Sequence, residues 1–238
     1  MVPAPQSPRD PSQVLPTMLK LYAPKVAAGA TALVITVLAE KQIPFELIEL
    51  DMHNGAHKAA EYVQKQHPFG QVPSIDDAGF IVYESRAICR YLVHKYPDQG
   101  TQTLIPPVSD LEATARFEQA ASVELANFHP HAHKIYMECN LKPRLGWPAD
   151  PGAGEAAKTA LNSTLDVYES ILGKQKYLAG DTFTLVDIFH LGFGPGLKDA
   201  GFDGLESKGP NVRRWWKDVS ERPTFTHYAE LQGWAVFF

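Results

Sequence analysis

His57 and Lys58 stand side by side, Gln71, Val72 and Pro73 close a Phe-Gly-Gln-Val-Pro run, and Glu84 precedes Ser85 where a helix begins. Ser85 opens SRAICRYLVHKY, in which Ala87, Ile88, Tyr91 and Leu92 share one helical face. A helix N-terminus gathers unpaired N–H groups, and with a serine hydroxyl beside them it takes a carboxylate. Glu84 supplies the opposite charge for an ammonium. The pair therefore suits the two halves of an α-amino acid. Proline donates no ladder bond, so Pro73 belongs at the first residue of a strand, and its peptide bond is a candidate for cis. Such a turn leaves the Val72 N–H and C=O free to pair with an extended peptide, as an added strand would.

Other chemical signals are weaker. HPHAH at 129–133 invites a metal, but on a helix only His129 and His133 share a face, and no carboxylate or cysteine stands at ligand spacing. No metal site is expected. Thr184 and Asp187 stand three apart ahead of an apolar run, the spacing of a capping box, which accounts for the aspartate without a catalytic role. YAPKVAAGATALV at 22–34 reads as a strand entering a helix through a loop with almost no side-chain chemistry.

The elements that must position these residues follow from pattern. Residues 18–22 and 45–51 read as strands, joined by a helix over 30–41 into a parallel, right-handed βαβ unit. A short helix is expected over 57–66. PSI and FIVY flank DDAG as a hairpin, and the Ser85 helix follows. Residues 96–109 lack periodicity and read as a linker. Beyond them, helices are expected over 110–141, 153–172, 184–191 and 212–220, with no strand. An α/β domain over 18–95 thus precedes an all-helical domain over 110–238.

Composition narrows the function classes. Lys and Arg number 22 against 27 Asp and Glu, for a net charge of −5, so no basic excess suggests nucleic acid. At 45% hydrophobic and 21% charged the chain is ordinary globular protein, and no apolar run is long enough to span a membrane. Cys89 and Cys139 lie far apart without a C-x-x-C, which argues against a disulfide scaffold and fits a reducing, cytoplasmic setting. The first 17 residues are proline-rich with few apolar anchors and lack the apolar core of a signal peptide, so a disordered tail is expected there.

The ordered set of segments resembles the glutathione transferases, and among them the phi class. The matching pieces are HK at 57–58, PFGQVP at 68–73, ESRAI at 84–88, VELANFHP at 123–130, KPRLGWPAD at 142–150, LDVYES at 165–170, KYLAGDTFTLVDI at 176–188 and RRWWKDVSERPTF at 213–225. The resemblance implies a thioredoxin-like α/β N-terminal domain plus an all-α C-terminal domain, the glutathione transferase fold, assembled as a homodimer. It implies glutathione as co-substrate, conjugated to an electrophilic apolar small molecule. His57 and Lys58 would hold the glycine carboxylate of glutathione, Gln71 and Val72 its backbone, with Pro73 as the cis-proline, and Glu84 and Ser85 the γ-glutamyl end. Phe128, Tyr136 and Met137 are the candidates for the apolar pocket, although residues at helical spacing are commonly plain core.

One departure bears on mechanism. Phi-class enzymes carry a serine in the first strand-to-helix loop whose hydroxyl favours the glutathione thiolate. It precedes a segment resembling ATALV at 30–34; counting back from there reaches Ala28, and counting forward from Tyr22 reaches Ala27. The hydroxyl is absent on either count. A free thiol has a pKa near 8.5, so only a few per cent is thiolate at neutral pH, and the thiolate is the nucleophile. Three readings stand open: backbone N–H groups around Ala28, Gly29 and Ala30 do the work, Thr31 swings in, or glutathione is not activated for conjugation. The last would make the protein a ligandin-type carrier of apolar molecules or a repurposed isomerase or lyase.

Overall fold

The computed structural model describes residues 18–26 and 28–226. The expected N-terminal tail and the Ala27 alternative lie outside the described residues.

The first unit is a four-stranded sheet built from β1 (Leu19–Ala23), β2 (Phe45–Glu49), β3 (Ser74–Asp77) and β4 (Phe80–Tyr83). Its order is β2-β1-β3-β4. β1 and β2 run parallel with Leu21 opposite Leu47, and the other two pairings are antiparallel, with Ile75 facing Leu21 on one side and Val82 on the other. In β1 every second residue, Leu19, Leu21 and Ala23, is buried, the period-two pattern of a strand against a core. The expected hairpin turns at Ala78 and Gly79, both with positive φ.

α1 (Gly29–Glu40) links the parallel strands, and every residue from Thr31 to Glu40 is buried. Its apolar residues lie all round rather than on one stripe, the mark of a helix enclosed on every side. α3 (Ser85–Lys95) packs beside it. Where one short helix was expected over 57–66, there are two pieces: a 3₁₀ turn over Ala56–Lys58 and α2 (Ala60–Lys65). The break falls at Ala59, whose extended ψ of 138° cannot continue a helix.

The second unit is helical. Asp110 caps α4 (Leu111–Val123) by accepting from the Ala113 N–H at 2.9 Å. The expected single segment over 110–141 is interrupted twice by π-helical turns, at Glu124–Phe128 and Met137–Leu141, on either side of α5 (His129–Tyr136). α6 (Lys142–Arg144) ends it. Each wide turn inserts a residue into the helical register, a feature that gathers at functional sites. α7 (Pro151–Leu172) starts two residues earlier than expected because Asp150 caps it. α8 (Leu185–Phe189) opens on the expected capping box of Thr184 and Asp187. Asp187 is fully buried and also accepts from the Trp215 indole N–H at 2.9 Å, which confirms the structural role. 3₁₀ turns over His190–Gly192 and Gly194–Leu197 follow, then α9 (Gly204–Ser207) and α10 (Pro210–Ser220). Among the described residues, no helix is long and apolar enough to cross a membrane.

Candidate functional site

Between the two units lies a cleft of about 450 Å³. Its first wall comes from the α/β unit: Ala30 at the start of α1, Met52 after β2, the 3₁₀ turn at His57 and Lys58, His67 with the Gly70–Pro73 turn, and Glu84–Arg86 at the start of α3. All seven residues expected to hold glutathione line it. Its opposite wall comes from the helical unit through His129, His133 and Phe193.

Local structure explains each placement. The Val72–Pro73 bond is cis, and Pro73 leads directly into β3. The turn before it is tied down from below, because the buried Tyr62 hydroxyl donates to the Gln71 carbonyl at 2.8 Å and contacts Ser74 Oγ at 3.2 Å. Val72 itself bonds to no described backbone group, so its peptide edge is open to the cleft. Gly70 has φ +57°, and a Cβ there would meet the His57 carbonyl at 2.7 Å. Only glycine lets these two loops close on each other. The Lys58 ammonium donates to the Phe69 carbonyl at 3.1 Å, which ties the same two loops. His57 Nδ1 is buried without a partner among the described residues, an orphaned polar atom beside the expected carboxylate seat. Burial and the adjacent Lys58 charge hold His57 below the usual histidine pKa.

Glu84 precedes α3 with φ +69° and no side-chain bond to the helix end, a positive-φ backbone that non-glycine residues seldom adopt. Strained backbone of this kind gathers at ligand sites. Ser85 follows as the first helical residue and is 7% exposed.

The N-terminus of α1 faces the cleft through Ala30. Ala28 is the extended residue before the helix and offers no side-chain cap. The first N–H groups of the helix have no acceptor within it. Thr31 is 3% exposed and fixed in the core, so its hydroxyl does not swing into the cleft.

The expected apolar residues fall elsewhere. Phe128 is 1% exposed and packs against Tyr168 and His190, with ring centroids 6.4 and 4.4 Å away. The π turn before α5 rotates it into the core and brings the next residue, His129, to the cleft. Tyr136 is buried behind Phe193 at 5.6 Å, and Met137 is half-buried away from the cleft lining. The wall is made instead by Phe193 and the two histidines. Their rings are parallel at 6.1 Å, and each meets Phe193 edge-on, at 5.4 and 5.0 Å. The HPHAH run signals this pair in the sequence. Phe193 lies in a Gly-Phe-Gly-Pro-Gly run that carries no periodicity, so nothing there points to a site.

Behind the histidines, Arg86 forks onto the fully buried Glu124, with bonds of 2.9 and 2.7 Å. Burial raises the Glu124 carboxyl and the guanidinium opposes it. The same Arg86 NH2 lies 3.2 Å from His129 Nδ1. Burial, then the charges of Arg86 and His133, pull His129 down to about 4. Burial and Lys134 also lower His133. Both rings are therefore neutral at physiological pH.

A family model described as the glutathione S-transferase N-terminal domain matches residues 26–94, and one for the C-terminal domain matches residues 128–223. The chain is 44% identical to glutathione S-transferase hmp2 of Hypomyces subiculosus, over 87% of this chain and 96% of that protein. The crystal structure of glutathione transferase F2 from Populus trichocarpa superposes with a TM-score of 0.83 at 35% identity, covering 90% of this chain and 99% of that one. Maize glutathione S-transferase I, solved in complex with an atrazine glutathione conjugate, superposes with a TM-score of 0.80 at 28% identity, covering 91% and 99%. With both domain models matched in order and a relative 44% identical over most of both chains, this chain belongs to the glutathione S-transferase family and is of the phi type.

Proposed function

We propose that the protein binds glutathione in the cleft and adds its sulfur to an electrophilic carbon of an apolar small molecule. The observation that carries this reading is the convergence of His57, Lys58, Gln71, Val72, Glu84 and Ser85 around the open peptide edge at Val72. His57 and Lys58 take the glycine carboxylate, and the Val72 peptide pairs with the tripeptide backbone beside Gln71, with cis-Pro73 shaping the turn. Glu84 and Ser85 take the γ-glutamyl ammonium and carboxylate. The tripeptide then lies across the start of α1, where the N–H groups of Ala28, Gly29 and Ala30 and the positive helix end favour the thiolate. Phe193 and the flanking histidine rings offer the apolar seat. The conjugate held by the maize relative has this same pairing of tripeptide and apolar partner.

Further expectations go with this reading: a division into domains at 96–109, a homodimer, and a cytoplasmic location without nucleic-acid, membrane or metal partners. An exposed aromatic cluster at Phe69, 69% exposed, and Tyr83, joined through His67, offers a surface for self-association. Free thiols at Cys89 and Cys139 agree with a reducing compartment. The absent serine favours one rival, a carrier that binds both molecules without joining them. An ultraviolet difference titration of glutathione into the protein, followed by assays across electrophile classes, tests the proposal. Thiolate absorbance well below the free thiol pKa, with turnover, supports it. Saturable binding with neither favours the carrier.

A further inference from the structure

We infer that His129 is a catalytic residue that donates its Nε2–H to the glutathione sulfur, adding from the helical domain, beside the backbone N–H groups at the start of α1, the side-chain hydrogen bond that the alanine loop lacks. This rests on the reading above, that the cleft takes glutathione.

Three observations carry it. The first fixes the tautomer. Arg86 has only donors to offer, so at 3.2 Å its NH2 makes His129 Nδ1 an acceptor. A neutral imidazole that accepts at Nδ1 carries its proton on Nε2. The Glu124 fork holds Arg86 in place, so the assignment is built into the packing of α3 on the π turn.

The second is that the donor is free. His129 Nε2 bonds to no described residue and is not among the buried unpartnered atoms. It is the ring's one uncommitted polar atom, on a residue that lines the cleft. His133 differs, because neither of its nitrogens is held by a described partner, so nothing fixes its tautomer. Around the His129 ring stand Arg86 from α3, itself held by Glu124, His133 on its own helix, and His190 from the 3₁₀ turn after α8.

The third is position. His129 meets Phe193 edge-on at 5.4 Å, and the Phe193 ring edge comes within 3.7 Å of where a Gly29 Cβ would stand. The histidine wall is thus one aromatic ring away from the start of α1, where the serine hydroxyl is missing. In this arrangement the thiol proton leaves to solvent and His129 keeps its own. The ring acts as a hydrogen-bond donor throughout, not as a base.

The test uses the full chain and glutathione itself. Glutathione affinity is measured by calorimetry and the bound thiol is titrated by its thiolate absorbance, in wild type, His129→Phe and His129→Gln. The phenylalanine keeps the edge contact with Phe193 but removes both nitrogens. The glutamine can accept from Arg86 through its carbonyl while its amide N–H serves as donor. The expected result is near-equal affinity in all three below the thiol's titration range, a bound-thiol titration about one pH unit higher for His129→Phe, a tenfold weaker preference for the thiolate, and recovery of most of that shift in His129→Gln. An unchanged titration curve in His129→Phe overturns the inference while leaving the proposed function intact. Failure of wild type to bind glutathione overturns the proposed function, and this inference with it.

Discussion

Arg222, near the end of the described chain, forks back onto Glu40 at the last turn of α1, with Nε 2.8 Å from Oε1 and NH2 3.2 Å from Oε2. Thr101 and Thr224 hydroxyls each donate to the same carboxylate at 2.5 Å. Glu40 is 2% exposed, so its charge is stable only while these four donors hold it. Arg222→Ala leaves that charge buried with two neutral donors. A loss of about 3 kcal/mol of unfolding free energy is expected, read by urea denaturation. A loss under about 0.5 kcal/mol would mean that water replaces the guanidinium without cost.

The same carboxylate sets an acid limit on stability. Burial pushes Glu40 up, but its bonds from Arg222, Thr101 and Thr224 outweigh that and hold it below its ordinary value. A group depressed in the folded state contributes its full stability above the unfolded pKa and loses it as pH falls through the folded one. The melting temperature of wild type should therefore fall more steeply than that of Glu40→Gln as pH drops below the carboxylate range. Parallel curves would remove Glu40 from the acid response.

Gly100, in the linker, predicts a second sharp effect. It has φ +57°, and a Cβ there would stand 2.1 Å from the Glu40 carbonyl oxygen. Gly100→Ala must both strain the backbone and part the linker from α1, at a cost of at least about 1–3 kcal/mol. A melting temperature equal to wild type would show that the linker relaxes freely.

Much of this was legible in the chain. Alternation and helical faces placed all four strands and most helices within a few residues, because their apolar patterns are local. The residues proposed to hold glutathione were legible because each sits in a short motif. The apolar wall was not. Phe128 and His129 are neighbours, and which of them faces the cleft depends on a single π-helical turn that no periodicity announces. The break at Ala59 was equally silent, since alanine favours a helix and only the surrounding loops pull it out.

Phe128→Ala is therefore expected to act on stability rather than on catalysis. Emptying its place between Tyr168 and His190 should cost about 3–5 kcal/mol. The KM for an electrophile, measured below the melting temperature, should stay within about twofold of wild type. A large rise in KM with unchanged melting would return Phe128 to the pocket.

Ser85→Ala should do the reverse. Its hydroxyl forms no hydrogen bond with the described residues, so the fold has little need of it. Removing one donor to a carboxylate costs about 1.5–3 kcal/mol, or roughly tenfold or more in the glutathione dissociation constant, with the melting temperature of the free protein almost unchanged. Calorimetry and a melting scan together decide it.

α1 is enclosed along nearly its whole length, begins against Phe193 and ends in the grip of Arg222 and Thr224. Both of its ends are thus moulded by the C-terminal half of the chain. The two domains are not modules that can be traded between relatives at the linker. A chimaera joined at 96–109 would seat a foreign helix in a mould cut for this one, and would first have to match an aromatic ring at one end and a guanidinium with a hydroxyl at the other. Reshaping the substrate range of this protein by recombination would need cut points that carry α1 together with its seat.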